Sequence, residues 1–122
     1  MSAVRVLLVE DNHVFRDTLE LLLGLREEVE VVGSVEHGGE AATLVERLRP
    51  DVVLLDYRLP GMNGLEVTRA VHGASPDTAV VCLTASVSKR EVDELYAAGA
   101  ATCLTKDAEL DEIVAAVVAA AG

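Results

Sequence analysis

Val52, Val53, Leu54 and Leu55 form an unbroken apolar run between Asp51 and Asp56, and the breaker pair Pro60-Gly61 follows shortly after. The run is too short for a helix of ordinary length and is β-branched at its start. It therefore reads as a strand buried on both faces, which requires a parallel sheet with helices covering each side. A carboxylate at the end of such a strand opens into the crevice where open parallel sheets bind ligands. Asp56 holds that place, so the remaining chain is read for what it brings to Asp56.

The flanking pattern supplies the partners such a strand needs. Further strands are expected at Val4–Val9, Val31–Val35, Ala79–Leu83 and Ala101–Thr105. Between them, Phe15, Leu19, Leu22 and Leu23 recur at helical spacing after Asn12, a good cap. Ala41, Leu44, Val45 and Leu48 stripe a second helix, and residues 64–72 suggest a short third. Ser88 with Glu91 has capping-box spacing ahead of Val92, Leu95 and Tyr96, and Gly99 closes that helix. Asp107 is placed to cap a last helix carrying Leu110, Ile113, Val114, Val117 and Val118. Strands alternating with helices call for a doubly wound α/β fold, since crossovers between parallel strands are right-handed. At 122 residues, without linker or repeat, residues 1–122 are expected to form one domain.

Charge narrows the function. Ten Lys and Arg stand against 21 Asp and Glu, a formal net charge of −11. Affinity for DNA comes largely from neutralising phosphates, so this chain is expected to reach DNA only through another domain. The opening MSAVRVLLVE lacks a signal-peptide layout and no apolar run approaches membrane-spanning length, so a cytoplasmic protein with no membrane contact is expected. Cys82 and Cys103 then read as reduced thiols. His13, His37 and His72 lack ligand spacing and read as surface residues.

All strands of a parallel sheet end at one edge. There the sequence delivers Glu10 and Asp11, Asp56, Thr84 and Lys106. Three carboxylates together repel one another unless a cation neutralises them, and an all-oxygen set with few protein ligands suits Mg²⁺. Thr84 offers a hydroxyl and Lys106 a mobile charge for a phosphoryl oxygen. An acid nucleophile, a metal and two donors are what phosphoryl transfer to a carboxylate needs.

The acid pair Glu10-Asp11, Asp56 within LLDYRLPGMNG, Thr84-Ala85, and Ala98-Gly99-Ala100 ahead of Lys106 together resemble the receiver domain of two-component response regulators over essentially the whole chain. VLLDYRLPGMNGLEV and Lys106-Asp107 are most similar to the NarL/LuxR-type transcription regulators. The resemblance implies a flavodoxin-like five-stranded sheet in the order 2-1-3-4-5. It implies that Asp56 accepts a phosphoryl group from a sensor histidine kinase. It implies Mg²⁺ held by Glu10, Asp11, Asp56 and the Arg58 backbone carbonyl, with Thr84 and Lys106 holding phosphoryl oxygens. Such a domain is a phosphoacceptor rather than an enzyme on another substrate, and it regulates an output, here transcription, through a surface that leaves room for a homodimer. It also implies that the chain is either a stand-alone receiver or, more in keeping with these relatives, a fragment lacking a C-terminal helix-turn-helix effector.

Cys103 departs from the pattern, because receivers usually carry an aromatic residue or His three positions before this lysine. The carboxylates nearby are expected to raise the Cys103 thiol. Arg58 is expected either to shield the phosphorylated Asp56 or to lie in solvent, and Tyr57 and Tyr96 to pack as ordinary amphipathic residues. Three other functions fit less well. An aspartyl phosphatase would want an acid where Arg58 stands, a nucleotide or flavin carrier would want a phosphate loop where Glu10-Asp11 stands, and a receiver-like module that is never phosphorylated would not need the full acid–Thr–Lys set.

Overall fold

The structure, a computed structural model, describes residues 2–122. Its elements alternate without exception: β1 (Val4–Val9), α1 (His13–Gly24), β2 (Val29–Val35), α2 (Ala41–Leu48), β3 (Val52–Leu55), α3 (Gly64–Ala74), β4 (Ala79–Thr84), α4 (Lys89–Ala97), β5 (Thr102–Thr105) and α5 (Leu110–Ala121), with a single 3₁₀ turn over Gly38–Glu40 before α2. The five strands form one parallel sheet in the order β2-β1-β3-β4-β5, as the resemblance implies. β3 is central and all four of its residues are buried. Burying each of those side chains contributes on the order of 2 kcal/mol before entropy is counted.

Alternate side chains of the strands feed two cores. Leu7, Val9, Val53, Leu55, Val80 and Cys82 meet residues of α2, α3 and α4 on one face. Val6, Leu8, Val52, Leu54, Val81 and Leu83 meet α1 and α5 on the other, through Leu19, Leu23, Ile113, Val114 and Val117. The central strand is apolar throughout because both of its faces are covered.

Several boundaries and packing assignments differ from the sequence reading. β2 begins at Val29, two residues early, because Val29 pairs with Val4 while exposed Glu30 breaks the apolar run. Its register with β1 slips between Val6 and Leu7, leaving Val32 extra. The cap of α5 is Glu109, not Asp107; Asp107 instead accepts the Thr105 hydroxyl in the preceding turn. Leu22, Val118 and Tyr96 are 37%, 41% and 47% exposed and lie at the margin of the core rather than within it, the Tyr96 hydroxyl 3.4 Å from that of Thr102 on β5. Tyr57 packs as expected and is buried. Among the described residues, no helix is long and apolar enough to cross a membrane.

Candidate phosphoryl-transfer site

The residues following β1, β3 and β5 stay in the ladder, and this fixes the polar edge. Glu10 N–H donates to the Val35 carbonyl (3.0 Å), Asp56 N–H to that of Val9 (3.1 Å) and Lys106 N–H to that of Thr84 (3.0 Å). Glu10, Asp56 and Thr84 are thereby drawn inside, with Glu10 and Asp56 only 5% and 6% exposed. Asp11 is half-buried beside them. One carboxylate oxygen from each of Glu10, Asp11 and Asp56 lies within 4.8 Å of the other two. The candidate residues of strands 1, 3, 4 and 5 thus converge as their places in the sequence require.

Local sequence shapes the loop around Asp56. The Arg58 N–H donates to Asp56 Oδ1 at 3.2 Å. Gly64 N–H donates to the Tyr57 carbonyl at 2.8 Å, and a Cβ on Gly64 would come within 2.8 Å of the Tyr57 Cα. Only glycine lets α3 start this close to the loop. Asn63 then caps α3 in a reciprocal box with Glu66.

Lys106 supplies the cation. Its Nζ lies 2.6 Å from Glu10 Oε1 and 3.1 Å from Asp56 Oδ2, 4.5 Å from the centre of the Phe15 ring. Burial works against the ammonium, but bonds to Glu10 and Asp56 outweigh it and hold the lysine above its usual pKa. Glu10 moves up as well. Burial is the main cause, Asp56 adds to it, and the bonds from Lys106 and the Asn12 N–H offset them only in part. The buried acids therefore hold more negative charge than one lysine neutralises, and a hard divalent cation fits this all-oxygen donor set. The Thr84 hydroxyl is fully buried, and among the described residues it has no hydrogen-bond partner. A buried polar atom without a partner, at the end of the strand next to the one that leads into Asp56, is suited to a ligand oxygen.

Two residues not singled out as site residues also line the pocket, and a third is tied to the loop that carries Asp56. Arg16 Nη1 donates to the Glu10 carbonyl at 2.9 Å, and its Nη2 lies 3.7 Å from Glu36 Oε1. Phe15 lies under Lys106, and Glu91 pairs with Arg58. Arg16 and Phe15 follow Asp11 within about a turn of α1, a placement legible in helical spacing; Glu91 carried no such signal beyond its cap.

Arg58 lies at the surface, one of the two places expected of it, with its side chain 55% exposed. Its guanidinium pairs there with Glu91 on α4 and stacks over Tyr57. The expectation for Cys103 is overturned. Its thiol moves down, not up, through its pairing with the Cys82 side chain opposite it on β4, with burial working the other way. Cys82 is pushed up in return. His13 and His37 are exposed, while half-buried His72 meets the Gly99 carbonyl at 3.1 Å, so no histidine joins the site.

Comparison with known proteins agrees with this geometry. The family described as the response regulator receiver domain matches residues 6–118. The chain is 38% identical over 114 residues to the response regulator GacA of Pseudomonas aeruginosa, covering 93% of this chain and 53% of that protein. It is 40% identical over 114 residues to the transcriptional regulatory protein NarL of Mycobacterium tuberculosis, again covering 93% and 53%. The chain thus spans about half the length of these curated relatives. Among solved structures, the NarL signal receiver domain of Mycobacterium tuberculosis superposes with a TM-score of 0.93 at 38% identity, covering 99% of this chain and 98% of that one. A LuxR-family two-component response regulator from Aurantimonas gives 0.88 at 29% identity, covering 97% and 86%.

Proposed function

This chain belongs to the response regulator receiver family, and from that premise we propose that Asp56 is its phosphoacceptor and that phosphorylation there switches a transcriptional output. The carboxylate attacks phosphorus on a sensor kinase's phosphohistidine or on a small phosphodonor. An O–P bond forms at Asp56, the P–N or P–O bond to the donor breaks, and the donor leaves with that electron pair. Mg²⁺, held by Glu10, Asp11, Asp56 and the Arg58 carbonyl, would neutralise the charge that builds on the phosphoryl oxygens. Lys106 exchanges one carboxylate partner for a phosphoryl oxygen, and Thr84 turns its unpaired hydroxyl to another.

The observation that carries this reading is the pairing of a three-acid cluster, two of its members buried, with the orphaned Thr84 hydroxyl. The first explains where a metal and a nucleophile would sit. The second explains what the added group would satisfy. The chain acts as its own catalyst for gaining and losing the phosphoryl group, not as an enzyme on a separate substrate. In this reading it works in the cytoplasm, with a sensor kinase as donor. Contact with DNA falls to a C-terminal effector in the half of its relatives' length that this chain does not span.

With Mg²⁺ and acetyl phosphate, intact-mass measurement should find one hydroxylamine-labile phosphoryl group per chain. Asp56→Asn should abolish it, since an amide is a poor nucleophile and a poor metal ligand. Equal labelling of the variant would overturn the assignment. Lys106→Ala should slow labelling, because a cation is lost where charge develops.

A further inference from the structure

Arg58 lies two residues beyond Asp56, and Glu91 seven beyond Thr84. Each therefore sits on a chain segment leaving one of the strand ends that would meet a phosphoryl group. The Arg58 guanidinium closes on the Glu91 carboxylate through two bonds, Nη1 to Oε2 at 3.0 Å and Nη2 to Oε1 at 2.9 Å. It also lies 4.9 Å from the centre of the Tyr57 ring. The same carboxylate accepts the Ser88 N–H at 2.9 Å and so completes the capping box of α4. Glu91 is held below the usual carboxylate range, first by that N–H, with burial opposing and Arg58 adding to the downward pull. One side chain thus both closes the first turn of α4 and ties that turn to the loop carrying Asp56.

We propose that the Arg58–Glu91 pair is a charge-operated latch. It holds the start of α4 to the Asp56 loop in the unphosphorylated protein and opens when a phosphoryl group on Asp56 draws the guanidinium away. A phosphoryl group brings roughly −1.5 to −2 charges and three strong acceptors, against the single charge of Glu91, and Arg binds either bidentately. The root of the side chain is already beside the acceptor, with the Arg58 N–H 3.2 Å from Asp56 Oδ1. One bidentate pair replaces another, so a single added charge is enough to move the balance. Glu91 is a positioning residue in this scheme and acts on the site only through Arg58. Opening rests on the reading of Asp56 as phosphoacceptor; the closed latch does not.

Amide hydrogen exchange measured by mass spectrometry tests both parts in the wild type, Arg58→Ala, Glu91→Gln and the double variant, with and without Mg²⁺ and beryllofluoride. Gln keeps the capping-box acceptor and removes only the charge. Without beryllofluoride, each single variant should exchange its α4 amides about two- to fivefold faster than wild type, the scale of one well-formed surface pair. α3 should be unchanged and the double variant no faster than the singles. With beryllofluoride, wild-type α4 should speed up to the level of Arg58→Ala, which itself should respond no further. Wild-type exchange in Arg58→Ala, additive effects in the double variant, or an undiminished beryllofluoride response in Arg58→Ala would each overturn the latch. ¹⁹F NMR of bound beryllofluoride separates the two readings: no binding tells against Asp56 as acceptor, while the comparison without it still decides the latch.

Discussion

α3 and α4 begin alike and are held very differently. Each follows a strand end of the site, and each opens with a full capping box, Asn63 with Glu66 and Ser88 with Glu91. α3 then buries Gly64, Leu65, Val67, Thr68 and Val71, while α4 buries Leu95 alone. One helix is fixed by the core. The other is fixed by one leucine, its cap and an ion pair to the Asp56 loop. An added charge of modest energy cannot shift the first, but it is comparable with what holds the second, since stability is unevenly spread and mobile elements come from its low end. A signal entering at Asp56 should therefore leave through α4.

The most forceful way to break this contrast is to remove the single anchor. Leu95 is fully buried, so Leu95→Ala should cost about 2–5 kcal/mol. In a urea titration followed by hydrogen exchange, α4 should open before the rest of the chain. Leu65→Ala in α3 should cost a similar amount, yet α3 should still open only with the whole fold. If α3 also opened early, the difference between the two helices would not come from the number of buried anchors.

A smaller effect is expected at the acidic pocket. Mg²⁺ at ten times its dissociation constant should stabilise the protein by about 1.4 kcal/mol through mass action. Asp11→Asn should remove most of this, as a melting series with and without Mg²⁺ will show. An unchanged response would mean that the metal binds elsewhere.

Smaller again is the contribution of Cys103. A thiol fills less space than a ring and offers little area for a contact that would follow Thr84 inward. Cys103→Tyr should raise beryllofluoride-dependent self-association modestly in analytical ultracentrifugation, and Cys103→Ala should leave it nearly unchanged. Strong association of the wild type that Cys103→Ala abolishes would show that the thiol itself matters.

The smallest expected effect is on pH. Glu91 titrates below its ordinary value of 4.5 when folded. A depressed acid contributes stability that is present above the unfolded pKa and lost as pH falls through the folded one. Below about pH 4.5 the α4 amides of the wild type should approach the exchange seen in Glu91→Gln, after correction for intrinsic rates. A gap between the two that persists at low pH would show that the carboxylate's charge is not what matters.

Much of this was legible in the chain itself. The apolar run Val52–Leu55 required cover on both sides, and the alternation of runs and stripes led to the doubly wound sheet. Acids, hydroxyl and lysine fell at strand ends, so their meeting followed from parallel topology before any distance was known. Legibility failed where local pattern and packing part company. Tyr96 and Leu22 sit at helical spacing for burial yet are only partly covered, because periodicity gives the direction of a face but not how fully a neighbour covers it. Asp107 has the chemistry of a cap, but a turn claims it first.

The sequence alone determined the order of elements and the identity of the groups at the carboxyl edge, because both follow from periods of two and 3.6 and from strands that all run one way. Only the tertiary structure decided how those groups share charge. Lys106 bridges Glu10 and Asp56, Thr84 is left without a partner, and Cys103 lies opposite Cys82 on the neighbouring strand. It also joined Arg58 to Glu91 across 33 residues of chain. Pairings of that kind depend on how far apart two loops are held, and the distance is set by the packing of the elements beneath them rather than by any pattern within the loops.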